Sequence, residues 1–215
     1  YGDAWLVRLT PDDPATALLH YERVLADQPE HLEALHRVGL IAAGQENWEQ
    51  AASAFSRLLE MEAGGATIPD EVIRSSCLAL GRIYGARPDG HGEARAHLRR
   101  AAELGEDDLS VWSALEKIER EEQAWPGLVE VLERKADLLQ DGEAVLACVL
   151  EAARICDRRL GDRARAEVLY RRALGIEPSS AEALDGLLFV LRDEGRMEEL
   201  EAVLVEAAGV EADPR

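Results

Sequence analysis

One spacing recurs along this chain and limits its fold more than any other feature. A small residue or Leu is followed four places later by a large apolar residue: Ala17 by Tyr21, Ala51 by Phe55, Ala94 by Leu98, Leu128 by Leu132, Ala166 by Tyr170 and Leu200 by Leu204. Three places further on stand Val24, Leu58, Ala101, Lys135, Ala173 and Ala207. Positions i, i+4 and i+7 share one face of an α-helix, so each set marks a helix with a buried stripe. The first anchors of successive sets lie 34, 43, 34, 38 and 34 residues apart. A recurrence near 34 residues is that of one helical hairpin per repeat. A single hairpin cannot bury its own stripe, so neighbours have to stack.

The other helix of each hairpin is visible between the anchors. Leu35, Val38, Gly39 and Ala42 share a face, as do Trp112, Leu115, Ile118 and Glu119, and again Leu184, Leu187, Leu188 and Leu191. Pro29 and Pro178 stand where helices should end. Ser179 with Glu182, and Thr67 with Asp70, have the spacing of helix-opening capping boxes. Close approach of two helices needs small residues, which places Gly39, Gly81 and Ala153 opposite Ala51, Ala94 and Ala166. Hairpin spans alternate in length. Tyr84 to Ala94 and Cys156 to Ala166 are ten residues, whereas Ala42 to Ala51, Glu119 to Leu128 and Leu191 to Leu200 are nine. The extra residues are expected in the hairpin loops near Arg87–Gly92 and Leu160–Asp162, and in the connections at 63–69 and 139–142. The resulting double period of 72 residues, Ala94 to Ala166 and Leu128 to Leu200, reads as duplication of a two-hairpin block.

These residues resemble the tetratricopeptide repeat (TPR) family over almost the whole chain. Leu80-Gly81 followed by Tyr84 is similar to that family's first helix. Ala17, Tyr21 and Pro29, and likewise Ala166, Tyr170, Ala173 and Pro178, are similar to its second. Trp48 and Trp125 take the large apolar slot three residues before the small anchor. The departures are Lys135 and Glu116 in place of small residues, and Ala42 and Leu191 in place of the aromatic. The resemblance implies an all-α, right-handed α-solenoid (superhelix) of antiparallel helix hairpins. It would form one domain over residues 1–215, with units at approximately 1–31, 32–66, 67–108, 109–142, 143–180 and 181–215. Gly2–Leu9 would be the remnant of a leading helix. No polar capping helix follows Leu204, so the chain reads as a window from a longer solenoid, or as one that hides an end by self-association.

Composition removes several function classes. The 215 residues carry 43 acidic and 24 basic side chains, a net charge of -19. That balance disfavours nucleic acid or an anionic membrane surface as partner. Nothing resembles a transmembrane run or a signal segment. Lys117 and Lys135 are the only lysines and Asn47 the only asparagine, an Arg- and Ala-rich usage that fits a GC-rich bacterial source. Cys77, Cys148 and Cys156 are odd in number and lack metal-ligand spacing, so they read as buried thiols, with no metal and no cofactor expected. Unpaired cysteines point to a reducing cytoplasm, with the periplasm or envelope as the alternative. No phosphate-loop, dinucleotide, zinc-protease or serine-hydrolase motif occurs. Glu116, Glu119, Glu121 and Glu122 read as a solvated face with Glu116–Arg120 pairing, and His91 and His97 as surface residues. No catalytic residue is expected and the chain is read as a non-enzyme.

The sharper expectation concerns the concave side. In the family it resembles, the residue after the Gly-like slot and the one three further on face a groove. Those slots hold Leu40, Arg82, Lys117, Arg154 and Phe189, then Arg120 and Arg192, with Arg158 adjacent. Arginine suits bidentate carboxylate or phosphate capture. The expectation is a protein-interaction scaffold that binds an acidic or carboxylate-bearing peptide. The Lys/Asn carboxylate clamp of the chaperone-tail subclass is not matched, because His36 and Leu40 stand in that region. The alternatives are a structural or assembly spacer within a larger envelope or secretion protein, or a regulatory domain fused to an enzyme.

Overall fold

A computed structural model describes residues 14–105 and 108–212. The segment Gly2–Leu9 lies outside the described residues. Every regular element among the described residues is a helix: α1 (Pro14–Asp27), α2 (Leu32–Gly44), α3 (Trp48–Ala63), α4 (Asp70–Gly85), α5 (His91–Glu103), α6 (Leu109–Glu121), α7 (Trp125–Leu138), α8 (Gly142–Ile155), a π-helical turn (Cys156–Leu160), α9 (Arg163–Ile176), α10 (Ala181–Asp193) and α11 (Met197–Ala212). The protein is an all-α array of packed helix hairpins. Two compact units divide within α6, residues 1–114 and 115–215.

In unit 1, α2 pairs with α3 and α4 with α5, while α1 packs on α2 and α3 on α4. In unit 2, each helix from α7 to α10 packs on its successor, and the π-turn packs on α7, α8 and α9. Five of the six anchor pairs are buried: Ala17–Tyr21, Ala51–Phe55, Ala94–Leu98, Leu128–Leu132 and Ala166–Tyr170. The sixth departs. Leu200 is half-buried and Leu204 is exposed, because no element among the described residues packs over that side of α11.

The glycines of the leading helices meet the large member of each pair. A Cβ on Gly39 would come within 2.6 Å of the Phe55 ring, and one on Gly81 within 2.5 Å of Leu98. Those contacts lie one turn beyond the expected partners, Ala51 and Ala94. The aromatic or Leu side chain thus fills the gap that the missing glycine side chain leaves.

Helix starts differ from two expectations. Ser180, rather than Ser179, caps α10, accepting from the Ala183 amide at 3.4 Å, while Ser179 bonds Glu177. α4 starts at Asp70 behind Pro69, with no side-chain cap. His31, Asn47, Asp141 and Asp162 cap α2, α3, α8 and α9 through the amide three residues on. Four hairpin turns share one device. The second residue before the following helix is left-handed: Glu46 (φ 60°), Gln123 (53°), Gly161 (67°) and Gly195 (73°). The two longer hairpins absorb their extra residue differently. After α8 it enters the π-turn, closed by a 2.9 Å bond from the Asp162 amide to the Cys156 carbonyl. After α4 it lengthens the loop, and Gly90 sits so tightly that a Cβ would lie 2.4 Å from the Tyr84 carbonyl oxygen.

Candidate functional site

The expected groove residues fall into separate surroundings in the two units. In unit 1, Leu40 and Arg82 line one recess of about 730 Å³ together with Ala43, Trp48, Leu78 and Arg87. The α4 side of the recess is one helical face: Ser75, Leu78, Ala79, Arg82, Ile83 and Ala86. Trp48 opens α3 at the hairpin tip and is 48% exposed; Leu40 is 42% exposed. Two arginines and no carboxylate are in the lining. Arg82 makes no ion pair among the described residues, and the Arg87 guanidinium lies 6.0 Å from the Tyr84 ring centre. Behind this wall, His36 Nε2 and Ser75 Oγ are 2.9 Å apart, and burial pushes the His36 imidazole below its usual pKa. The neutral ring therefore belongs to the packed wall.

In unit 2, Arg154, Arg158 and Phe189 line a second recess, of about 770 Å³, with Arg163, Glu182 and Asp185 among its other residues. Its charges are mixed. Arg154 pairs with Glu182 at 3.2 Å. Arg163 pairs with the buried Asp157 carboxylate, reaches Asp193 at 3.3 Å, and holds its guanidinium 5.2 Å from the Phe189 ring centre. The Tyr170 ring closes the floor, 2.3 Å from where a Cβ on Gly186 would be.

Lys117, Arg120 and Arg192 line neither recess. Lys117 is 3.9 Å from Glu121. Arg120 bonds both Glu151 and Glu116, and these two carboxylates raise its pKa. Arg192, in the last turn of α10, is exposed.

The acidic run around α6 is not uniformly solvated. Glu116 does pair with Arg120, at 2.8 Å, and it also pairs with Lys135. Glu119, in the aromatic slot, is only 2% exposed, with its carboxylate against Gly127. The two charged departures from the repeat pattern thus meet each other: Glu116 and Lys135 replace a pair of small residues with an ion pair. His97 is half-buried and stacks on Tyr84, centroids 5.7 Å apart, rather than lying on the surface. Burial pushes the Cys77 and Cys156 thiols up to about 11. Among the described residues no three potential metal ligands gather, and no helix is long and apolar enough to cross a membrane.

Slot reading along the leading helices identified Leu40 and Arg82 but missed Trp48 and Arg87. Trp48 has the spacing of a core residue. Its position as the first residue of α3 puts it at a hairpin tip instead, and that is legible only once the helix start is known.

The tetratricopeptide repeat family pattern matches residues 36–215. The chain belongs to that family. Among solved structures it is similar to YrrB, described as a TPR protein with an unusual peptide-binding site, at 14% identity and TM-score 0.50, covering 90% of this chain and 93% of that one. It is also similar to a MamA RS-1 double mutant, at 15% identity and TM-score 0.51, covering 84% and 92%. At these identities the likeness is one of fold. No curated protein matches the chain in sequence.

Proposed function

We propose that the chain is a non-enzymatic scaffold whose unit 1 recess takes an acidic, partly apolar segment of a partner protein. One observation carries this reading. In a chain of net charge -19, the recess is lined by Arg82 and Arg87 without a carboxylate, beside the exposed apolar surface of Leu40 and Trp48. The apolar wall lowers the local dielectric and strengthens the field of the two guanidinium groups. Arg158 and Phe189 offer a second, mixed-charge surface in unit 2. Lys117, Arg120 and Arg154 already hold carboxylates of this chain, so their charge is largely offset and their contribution is secondary.

Fluorescence anisotropy with labelled Glu/Leu peptides and their Lys/Leu counterparts tests the reading. The acidic peptides are expected to bind, more weakly as salt rises. Arg82→Glu with Arg87→Glu should weaken that binding about tenfold or more. Equal affinity for basic peptides, or binding unchanged in the variant, overturns it. A second reading, an assembly module, is favoured by the exposed Leu204 and Val205 on α11.

A further inference from the structure

We infer that the unit 1 recess selects an acidic partner segment that carries an aromatic residue, whose ring stacks on Trp48 while the neighbouring carboxylate meets Arg82 and Arg87. The inference rests on the reading of the recess just given, and names the residue that sets its specificity.

A comparison between two hairpins of the chain carries it. Trp48 and Trp125 open α3 and α7, each three residues before its repeat anchor, Ala51 or Leu128. Arg87 and Arg159 also share a register, each seven residues before the next anchor, Ala94 or Ala166. In unit 2 the two slots close on each other. The Arg159 guanidinium lies over the Trp125 ring, 5.0 Å from its centre, and Trp125 packs against the core. In unit 1 no such stack forms. Arg87 lies over Tyr84 instead, and Trp48 stays exposed. The hairpins account for the difference. The π-turn prolongs the helical path to Leu160 and carries Arg159 with it, whereas α4 ends at Gly85 and leaves Arg87 in the loop. Trp48 therefore offers the face that Trp125 keeps covered.

The surroundings decide what takes that face. A cation, the group that covers Trp125, is disfavoured, because Arg82 and Arg87 line the recess and no carboxylate offsets them. A neutral ring meets no such penalty. The short side chains of Ala43, Ala79 and Ala86 leave width for it in a recess of about 730 Å³. Paired rings gain free energy beyond the area they bury, which a saturated side chain of the same size does not. Arg82 is in the last turn of α4 and Arg87 lies beyond its end, so both cations stand at one end of that wall. The recess thus serves an acid at that end and apolar contact over the rest. A few groups that fix orientation within a mainly apolar lining is the usual make-up of a selective pocket.

Fluorescence anisotropy on the 215-residue chain tests this with the labelled Glu/Leu peptide and two relatives, in which one Leu becomes phenylalanine or cyclohexylalanine. Cyclohexylalanine matches phenylalanine in size but has no π face. The phenylalanine peptide is expected to bind about three- to tenfold more tightly than the cyclohexylalanine one. Trp48→Leu should make the two equal, and Trp48→Phe should keep the preference. Trp48 is exposed, so neither change disturbs the core, and circular dichroism checks that the helices persist. Arg82→Glu with Arg87→Glu should weaken all the peptides alike. Equal affinity for the phenylalanine and cyclohexylalanine peptides, a preference that survives Trp48→Leu, or one lost in Trp48→Phe overturns the inference and leaves the acidic-segment reading standing. If none of the Glu peptides binds, that reading falls and the inference falls with it.

Discussion

Glu46 and Gln123 hold left-handed backbone where Gly161 and Gly195 do the same work in the equivalent turns. A residue with a Cβ is strained there and glycine is not. Glu46→Gly and Gln123→Gly should each stabilise the chain by ~0.5–1 kcal/mol in urea unfolding; a loss would mean that the side chains contribute more than the turn geometry. Gly39→Ala should act the other way. Its Cβ would press on the Phe55 ring at 2.6 Å, an overpacking that costs about 1–3 kcal/mol. Thiol chemistry belongs to this scale too. With their pKa at about 11, Cys77 and Cys156 should resist iodoacetamide at mildly alkaline pH, and the half-buried Cys148 should react first. Legibility at this scale is uneven. The anchors declare themselves because their spacing is periodic. The turns at Glu46 and Gln123 carry no such mark, since a glutamate or glutamine in left-handed backbone looks like any other polar loop residue.

At the scale of elements, the informative site is where α6 meets α7. Burial alone would raise the Glu116 pKa, but the bonds from Lys135 and Arg120 hold it below the ordinary value of 4.5. A carboxylate lowered in this way stabilises the fold above the unfolded pKa, and that stabilisation is lost as pH falls through the folded value. Glu116→Ala, which strands the largely buried Lys135 ammonium, should cost about 1–2 kcal/mol at neutral pH. The double variant Glu116→Ala/Lys135→Ala should recover part of it. A coupling energy near zero in the double-mutant cycle would remove the pair from the account. In the sequence, Glu116 and Lys135 looked like two separate departures from the small-residue pattern. That they offset each other is a fact of packing, because only the fold brings residues on α6 and α7 side by side. Leu204 is the reverse case. It satisfies the pattern and yet is exposed, because the pattern records which face of a helix is apolar and not whether a neighbour covers it.

For the whole molecule, stability should be distributed by neighbours, as in other repeat arrays. Among the described residues, α11 carries one buried side chain, Val203, and α1 carries two, Ala17 and Tyr21, against five on α8. Hydrogen exchange should therefore open α11 and α1 first and the α8–α9 pair among the last; uniform exchange along the chain would contradict this. Arginine–carboxylate bonds separated by about one repeat recur within the units: Arg74–Asp108, Arg120–Glu151, Arg165–Glu133, Arg172–Asp137 and Arg196–Glu167. The repeat architecture was legible from six pairs of residues, whereas the division within α6 was not, because no break in the spacing announces it. The π-turn at Cys156–Leu160 has a wider meaning. One added residue in a regular helix advances every later side chain by about 100° and would turn an apolar stripe out to solvent. Here the surplus residue is taken up in the wider turn, and Ala166, Tyr170 and Ala173 still face inward. The hairpin tip thus acts as a phase corrector: the chain can gain or lose a residue there without scrambling the repeats downstream, and arrays of this kind can vary in length between copies while their cores stay in step.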